Sequence, residues 1–186
     1  MYLFCFGTRP EIIKQFPLIE EMKKRRMPYK TLFSGQHEDL IKDFINLIGQ
    51  PNYSLENIIT HGQSLNRLVS KILEKTDQLL KDNNEFKIIV QGDTSTAFAL
   101  ALAGFQNGNE VIHVEAGLRT HNLMSPFPEE ANRTLVSKLA SIHFCPTQRS
   151  VDNLASEGVN ENVYLVGNTI VDSFNLISKK NLESEK

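Results

Sequence analysis

The 186-residue chain has no tryptophan, two cysteines and no surplus of either charge: 20 Lys and Arg stand against 22 Asp and Glu, a formal net charge of −2. Each shortage excludes something. Without a Lys/Arg block there is no electrostatic footprint for nucleic acid, and any anionic ligand must be held by local groups. Cys5 and Cys145 lie in apolar strand-like runs, far apart and without metal-ligand spacing, and read as reduced core residues of a cytosolic protein. None of the five histidines, His37, His61, His113, His121 and His143, forms a zinc pattern with a second ligand. His113-Val114-Glu115 has the His-x-Glu of zinc deaminases, but no cysteine follows Cys145 at the required spacing, so metal catalysis is not expected. The longest apolar run, Ala97 to Phe105, falls far short of the ~20 residues a membrane span needs. Tyr2 to Phe6 lacks the basic flank and cleavage signal of a secretory leader, so a soluble, cytoplasmic protein with no membrane partner is expected.

What remains is ordinary globular material, 40% hydrophobic and 23% charged, enough for one domain with a real core. Short apolar runs at 2–6, 30–34, 87–91, 110–115, 141–145 and 162–167 alternate with helix-period segments at 10–25, 63–82, 94–107, 129–140 and 147–157. Gly108 and Gly158 stand where helix C-terminal caps favour glycine. Near-continuous apolar strands alternating with helices predict a doubly wound parallel sheet covered on both faces, a Rossmann-like α/β fold. No repeat, low-complexity tract or linker divides the chain, and the polar tail 178–186 is expected to fray unless something docks on the helix begun near Thr169.

Ligands of such sheets bind at the carboxyl ends of the strands. There the sequence delivers Gly7-Thr8-Arg9-Pro10-Glu11, Ser34-Gly35-Gln36-His37, Gln91-Gly92-Asp93-Thr94 and Glu115-Ala116-Gly117, each a polar residue beside a glycine. The first turn leads into a helix whose free amides suit an anion, with Arg9 as a bidentate clamp and Lys14 as a point charge, although the pattern is neither G-x-G-x-x-G nor Walker A. Asp93 reads equally as the N-cap of the helix after it. Glu115 closes an apolar strand and needs a partner, for which Arg119 or Arg133 are candidates. Pro128-Glu129-Glu130 is a helix start, where Glu129 and Arg133 share a face as an ordinary ion pair. His113 and His143 fit hydrogen-bonded core positions.

Taken together, GTRPEIIK (7–14), GQHEDL (35–40), QGDTSTAFALALA (91–103), HVEAGLRT (113–120), SPFPEEANRT (125–134) and GNTIVD (167–172) are similar, in order and spacing, to the amino-terminal half of the non-hydrolysing UDP-N-acetylglucosamine 2-epimerases. These are bacterial enzymes with two Rossmann-like domains in the glycosyltransferase-B arrangement. The resemblance implies an N-terminal domain over 1–172, a hinge helix and polar tail over 173–186, and a second domain that this chain lacks and that must come in cis or in trans. It implies Asp93, Glu115 and Glu129 as catalytic groups. Arg9 and Lys14, with Asp93 and Glu115, would contact UDP-GlcNAc or UDP-ManNAc, and Gln36, His37, Arg119 and Arg133 are further candidates. The implied route eliminates UDP from C1 as C2 loses its proton, giving 2-acetamidoglucal, then re-adds UDP after reprotonation on the other face. No cofactor is needed, and a homodimer is compatible with the resemblance. Removing a proton from one face and returning one to the other calls for two groups flanking the ring, which carboxyls with separated pKa values can supply.

Two departures bear on this expectation. The absent half carries most of the UDP contacts in the relatives, so the isolated chain, whether a truncated form, a gene fragment or half of a split enzyme, is expected to have little or no epimerase activity. Relatives regulated by a second bound substrate carry a glutamine where Asp39 stands and an arginine near Lys71, which puts that regulation in doubt. Rival readings are a hydrolysing epimerase, a glycosyltransferase half, and a non-catalytic nucleotide-sugar-binding or interaction module.

Overall fold

The computed structural model describes residues 1–35, 45, 47–60 and 62–184. Its strands are β1 (Tyr2–Phe6), β2 (Tyr29–Phe33), β3 (Tyr53–Ser54), β4 (Lys87–Gln91), β5 (Glu110–Val114), β6 (Ile142–Cys145) and β7 (Val163–Leu165). The helices used below are α1 (Arg9–Lys24), α2 (Leu65–Lys81), α3 (Ser95–Gln106), α4 (Glu129–Leu139), α5 (Gln148–Ser156) and α6 (Thr169–Ser184). The strands form one seven-stranded sheet in the order β3-β2-β1-β4-β5-β6-β7, and every neighbouring pair is parallel. The expected doubly wound sheet is therefore present, with one strand, β3, that the sequence pattern did not reveal. Two residues are too few to carry a period.

Alternation along the strands sorts the core onto two faces. Leu3, Cys5, Ile88, Val90 and Val111 pack with Leu68 and Ile72 of α2 and Ala97, Leu100 and Ala101 of α3. Phe4, Phe6, Ile89, Ile112 and Val114 turn the other way, against Ile12 and Ile19 of α1. Cys5 and Cys145 are buried and free, and burial pushes the Cys145 thiol up to about 11. Helix α3 is apolar over most of its surface because it lies on the sheet between α2 and α4. Its Gly104 sits so close to the sheet that a Cβ there would stand 2.8 Å from Ile88 Cγ1. Among the described residues, no helix is long and apolar enough to cross a membrane.

Helix α1 contains a proline in its interior, Pro17. Having no N–H, Pro17 cannot donate to the carbonyl of Ile13 four residues earlier. The gap is filled from the other end of the chain: Ser173, fully buried in α6, places Oγ 2.5 Å from the Ile13 carbonyl and 3.0 Å from its own Thr169 carbonyl. This contact fixes α6 against α1, and the segment expected to fray continues the helix to Ser184.

Ser173→Ala should therefore destabilise the chain by about 1–3 kcal/mol, the cost of stranding a buried acceptor. In a Pro17→Ala background, where an amide returns to the Ile13 carbonyl, the same change should cost measurably less. Urea denaturation of the four proteins of this double-mutant cycle checks the coupling.

Candidate active site

Glu115 follows directly on β5 and adopts a left-handed backbone, φ 65°, a conformation that costs a non-glycine residue of order 1–3 kcal/mol and collects at functional sites. The turn lifts its carboxylate over the carboxyl ends of the strands. Lys14 Nζ lies 2.9 and 2.7 Å from its two oxygens. Asn168 Nδ2 donates at 2.9 Å, and Gln91 Nε2 donates to Oε2. One carboxylate thus gathers α1, the end of β4 and the residue before α6. The partner expected for Glu115 was an arginine; it is Lys14 instead, so the ammonium reserved for an anionic ligand is already engaged.

Asp93 is not the N-cap of α3. That position belongs to Thr94, whose Oγ1 accepts from the Ala97 amide at 3.0 Å, and the side chain of Asp93 is left to face the rim. Arg133 Nη2 donates to Asp93 Oδ2, and Asn132 Nδ2 donates to the Asp93 carbonyl at 2.9 Å. The first turns of α4 therefore grip the β4–α3 turn. Arg133 does not form the simple pair with Glu129: its ionic partners are Asp93 and, at 3.3 Å, Glu130. Glu129 keeps a buried Oε2 with no hydrogen-bond partner among the described residues.

The three acids share one electrostatic neighbourhood. Burial pushes the Asp93 carboxyl above its ordinary range, Arg133 pulls it back, and the charges of both Glu115 and Glu129 push it up again. Glu130 is held below the usual range: burial opposes its ionisation, but the Thr120 and His121 amides, at 2.9 and 2.8 Å, and Arg133 outweigh it. Beside Glu115 lies a cavity of about 230 Å³ lined by Val114, Phe144, Val166, Gly167, Asn168 and other residues.

Other expected site residues stand elsewhere. Arg119 has a side chain only 1% exposed and spends its donors on Glu157 at 2.7 and 2.8 Å, Ser137 and the Leu118 carbonyl. It braces α4 against α5 and offers no face to a ligand. Arg9 is exposed at the start of α1. Gln36, His37 and Asp39 lie outside the described residues. Lys71 is ringed by the Asn57 and Ile58 carbonyls, Thr60 Oγ1 and Gln63 Oε1 at 2.9–3.3 Å. His113 is a core residue: its Nε2 donates to the Gly92 carbonyl at 2.8 Å, and burial lowers it to about 3, which keeps it neutral. Gln91, Asn168 and Glu11 were missed as site residues. A glutamine ending a buried strand was the available signal for the first, and a Thr-x-x-Glu capping box for the last.

Strand order and parallel register, with an acidic, amide-lined rim at the carboxyl ends of the strands, define an α/β domain of Rossmann-like type. The chain belongs to the UDP-N-acetylglucosamine 2-epimerase family, whose model matches residues 20–186. It is 41% identical over 181 residues to a UDP-N-acetylglucosamine 2-epimerase of Campylobacter jejuni, with 96% of this chain and 47% of that protein covered. To the enzyme of that name from Salmonella borreze it is 44% identical, with 96% and 48% covered. A crystal structure of UDP-GlcNAc 2-epimerase from Neisseria meningitidis bound to UDP-GlcNAc superposes with a TM-score of 0.90 at 40% identity, over 98% of this chain and 50% of that one. The chain thus spans about half the length of these relatives, which adopt the glycosyltransferase-B architecture.

Carbon-13 NMR titration of the Asp93 carboxyl should give a midpoint above the ordinary 3.8, and Arg133→Leu should move it higher still, since Arg133 opposes the shift. The sign for stability follows: a raised folded-state pKa means the folded chain binds more protons than the unfolded one. The Asp93 contribution is therefore present below pH 3.8 and lost as pH rises through the folded midpoint.

Proposed function

We propose that the chain is the amino-terminal half of a UDP-N-acetylglucosamine 2-epimerase, interconverting UDP-GlcNAc and UDP-ManNAc once its second half is supplied. The observation that carries this reading is the crowding of the Asp93 carboxyl, which burial raises first and the charges of Glu115 and Glu129 raise further. A sugar C2–H with no neighbouring carbonyl needs one group to take the proton and another, on the opposite face, to return it. Asp93, with a carboxyl biased toward holding a proton, and Glu129, with a buried oxygen free of hydrogen bonds among the described residues, suit that exchange. Glu115 already receives an ammonium and two amides, and serves as a fixed negative charge that can oppose or orient groups at C1 and C2. Arg9 opens α1 and Lys14 lies in its second turn, and theirs are the cationic side chains this reading offers to the nucleotide-sugar. No redox step occurs along this route.

The dependence on a second half has support in the surface. Tyr164, Leu165, Val166, Ile170, Val171 and Phe174 are 41–73% exposed, and Val166 borders the cavity next to Glu115. An apolar face of this kind fits packing by another domain, in cis or in trans. Free buried thiols fit a reducing, cytoplasmic setting, and the near-neutral charge favours a small-molecule partner over nucleic acid.

The isolated chain should show no measurable conversion of UDP-GlcNAc in deuterated solvent, followed by loss of the C2 proton signal, and adding or fusing the second half of a relative should restore it. Robust exchange by the isolated chain would refute the need for that half. In the restored enzyme Asp93→Asn, Glu115→Gln and Glu129→Gln should each lower kcat by about 10²–10⁴-fold. Unchanged turnover in all of them would favour a non-catalytic binding module instead.

A further inference from the structure

In a sheet ordered β3-β2-β1-β4, the winding reverses between β1 and β4. The crevice at such a reversal is the usual seat of a ligand's phosphate, cradled by the free amides that open the first helix. In this chain a carboxylate already occupies the two amides that lead into that helix. Glu11 Oε2 accepts from the Gly7 and Thr8 amides, each at 2.7 Å. Its Oε1 accepts from Thr94 Oγ1 on the far side of the crevice. Glu11 is only 2% exposed, and burial pushes its carboxyl up against the pull of these donors. The backbone closes tightly around the same point: a Cβ on Gly7 would stand 2.2 Å from Ser34 Oγ and 2.9 Å from Thr96.

We infer that Glu11 is an internal anion, filling the cradle that a phosphate or diphosphate would otherwise take and excluding such a group from the first strand-to-helix turn. The Thr94 bond bolts the crevice shut by joining the β1–α1 turn to the β4–α3 turn. A ligand is consequently displaced along the rim toward β4, β5 and β6, where Asp93, Glu115 and the cavity lie. Its phosphates are met there by side chains or by a further polypeptide segment, not by the Gly7 and Thr8 amides. The inference rests on the epimerase reading only for the identity of the ligand that carries the anion; the filled cradle stands without it.

The test is an amide NMR titration of the 186-residue chain with inorganic pyrophosphate, in wild type and in Glu11→Ala. In wild type the Gly7 and Thr8 amide signals should stay in place across the titration. In Glu11→Ala, with the carboxylate gone, both should shift and saturate. Saturable shifts of Gly7 and Thr8 in wild type would overturn the inference, as would a folded Glu11→Ala protein in which neither amide responds. Should Glu11→Ala fail to fold, the wild-type titration decides alone: still amides uphold a filled cradle and moving ones sink it. Because no nucleotide-sugar is used, failure of the epimerase reading would leave these outcomes unchanged.

Discussion

A carboxylate taken out of water at the end of an apolar strand carries a desolvation cost of several kcal/mol unless donors replace its hydration. Glu115 meets that requirement with Lys14, Gln91 and Asn168, and much of the rim's geometry is the record of how those donors arrive. Lys14 must come from the second turn of α1, which sets where α1 begins. Gln91 must be the last residue of β4, and Asn168 must stand just ahead of α6. Remove the carboxylate and an ammonium and two amides lose their common focus. Remove the ammonium and a nearly buried charge is left without its counter-ion, the more damaging of the two changes.

A second arrangement separates Asp93 from Glu115 in kind. Both are acids on neighbouring strand ends, yet one is surrounded by donors and the other has, among the described residues, a single ionic partner, Arg133, and feels two negative neighbours. Environment, not residue type, sets the two apart. The short helix cap explains how this is possible. With Thr94 taking the N-cap, Asp93 is relieved of a structural duty and can be turned to the cleft, while Asn132 and Arg133 hold its turn from α4.

Much of the architecture was legible from residue pattern because parallel strands buried on both faces read as unbroken apolar runs. Thus YLFCF and KIIVQ match β1 and β4 residue for residue. The edge strand Tyr53–Ser54 was not legible, since its pairing is imposed by β2 and not by its own composition. At the rim, the partners of the acids were not legible in advance. Lys14 and Glu115 are 101 residues apart, Arg119 and Glu157 are 38, and no local period encodes contacts of that span. Local rules favoured the nearest plausible mate, an arginine a few residues on. The fold chose otherwise because helices, not sequence neighbours, decide which long side chains reach the rim. Glu11 shows the opposite case: its capping-box spacing was visible, but its reach across the winding reversal to Thr94 was not.

The hydroxyl of Ser173 on the Ile13 carbonyl ties these themes together. Helix α6 is keyed into a break in the hydrogen-bond ladder of α1, one residue away from the lysine that neutralises Glu115, and Asn168 ahead of it touches that same glutamate. Any tug, tilt or rotation of this last helix therefore bears on a single charge through two contacts, making it a lever whose short arm ends at the rim of the sheet.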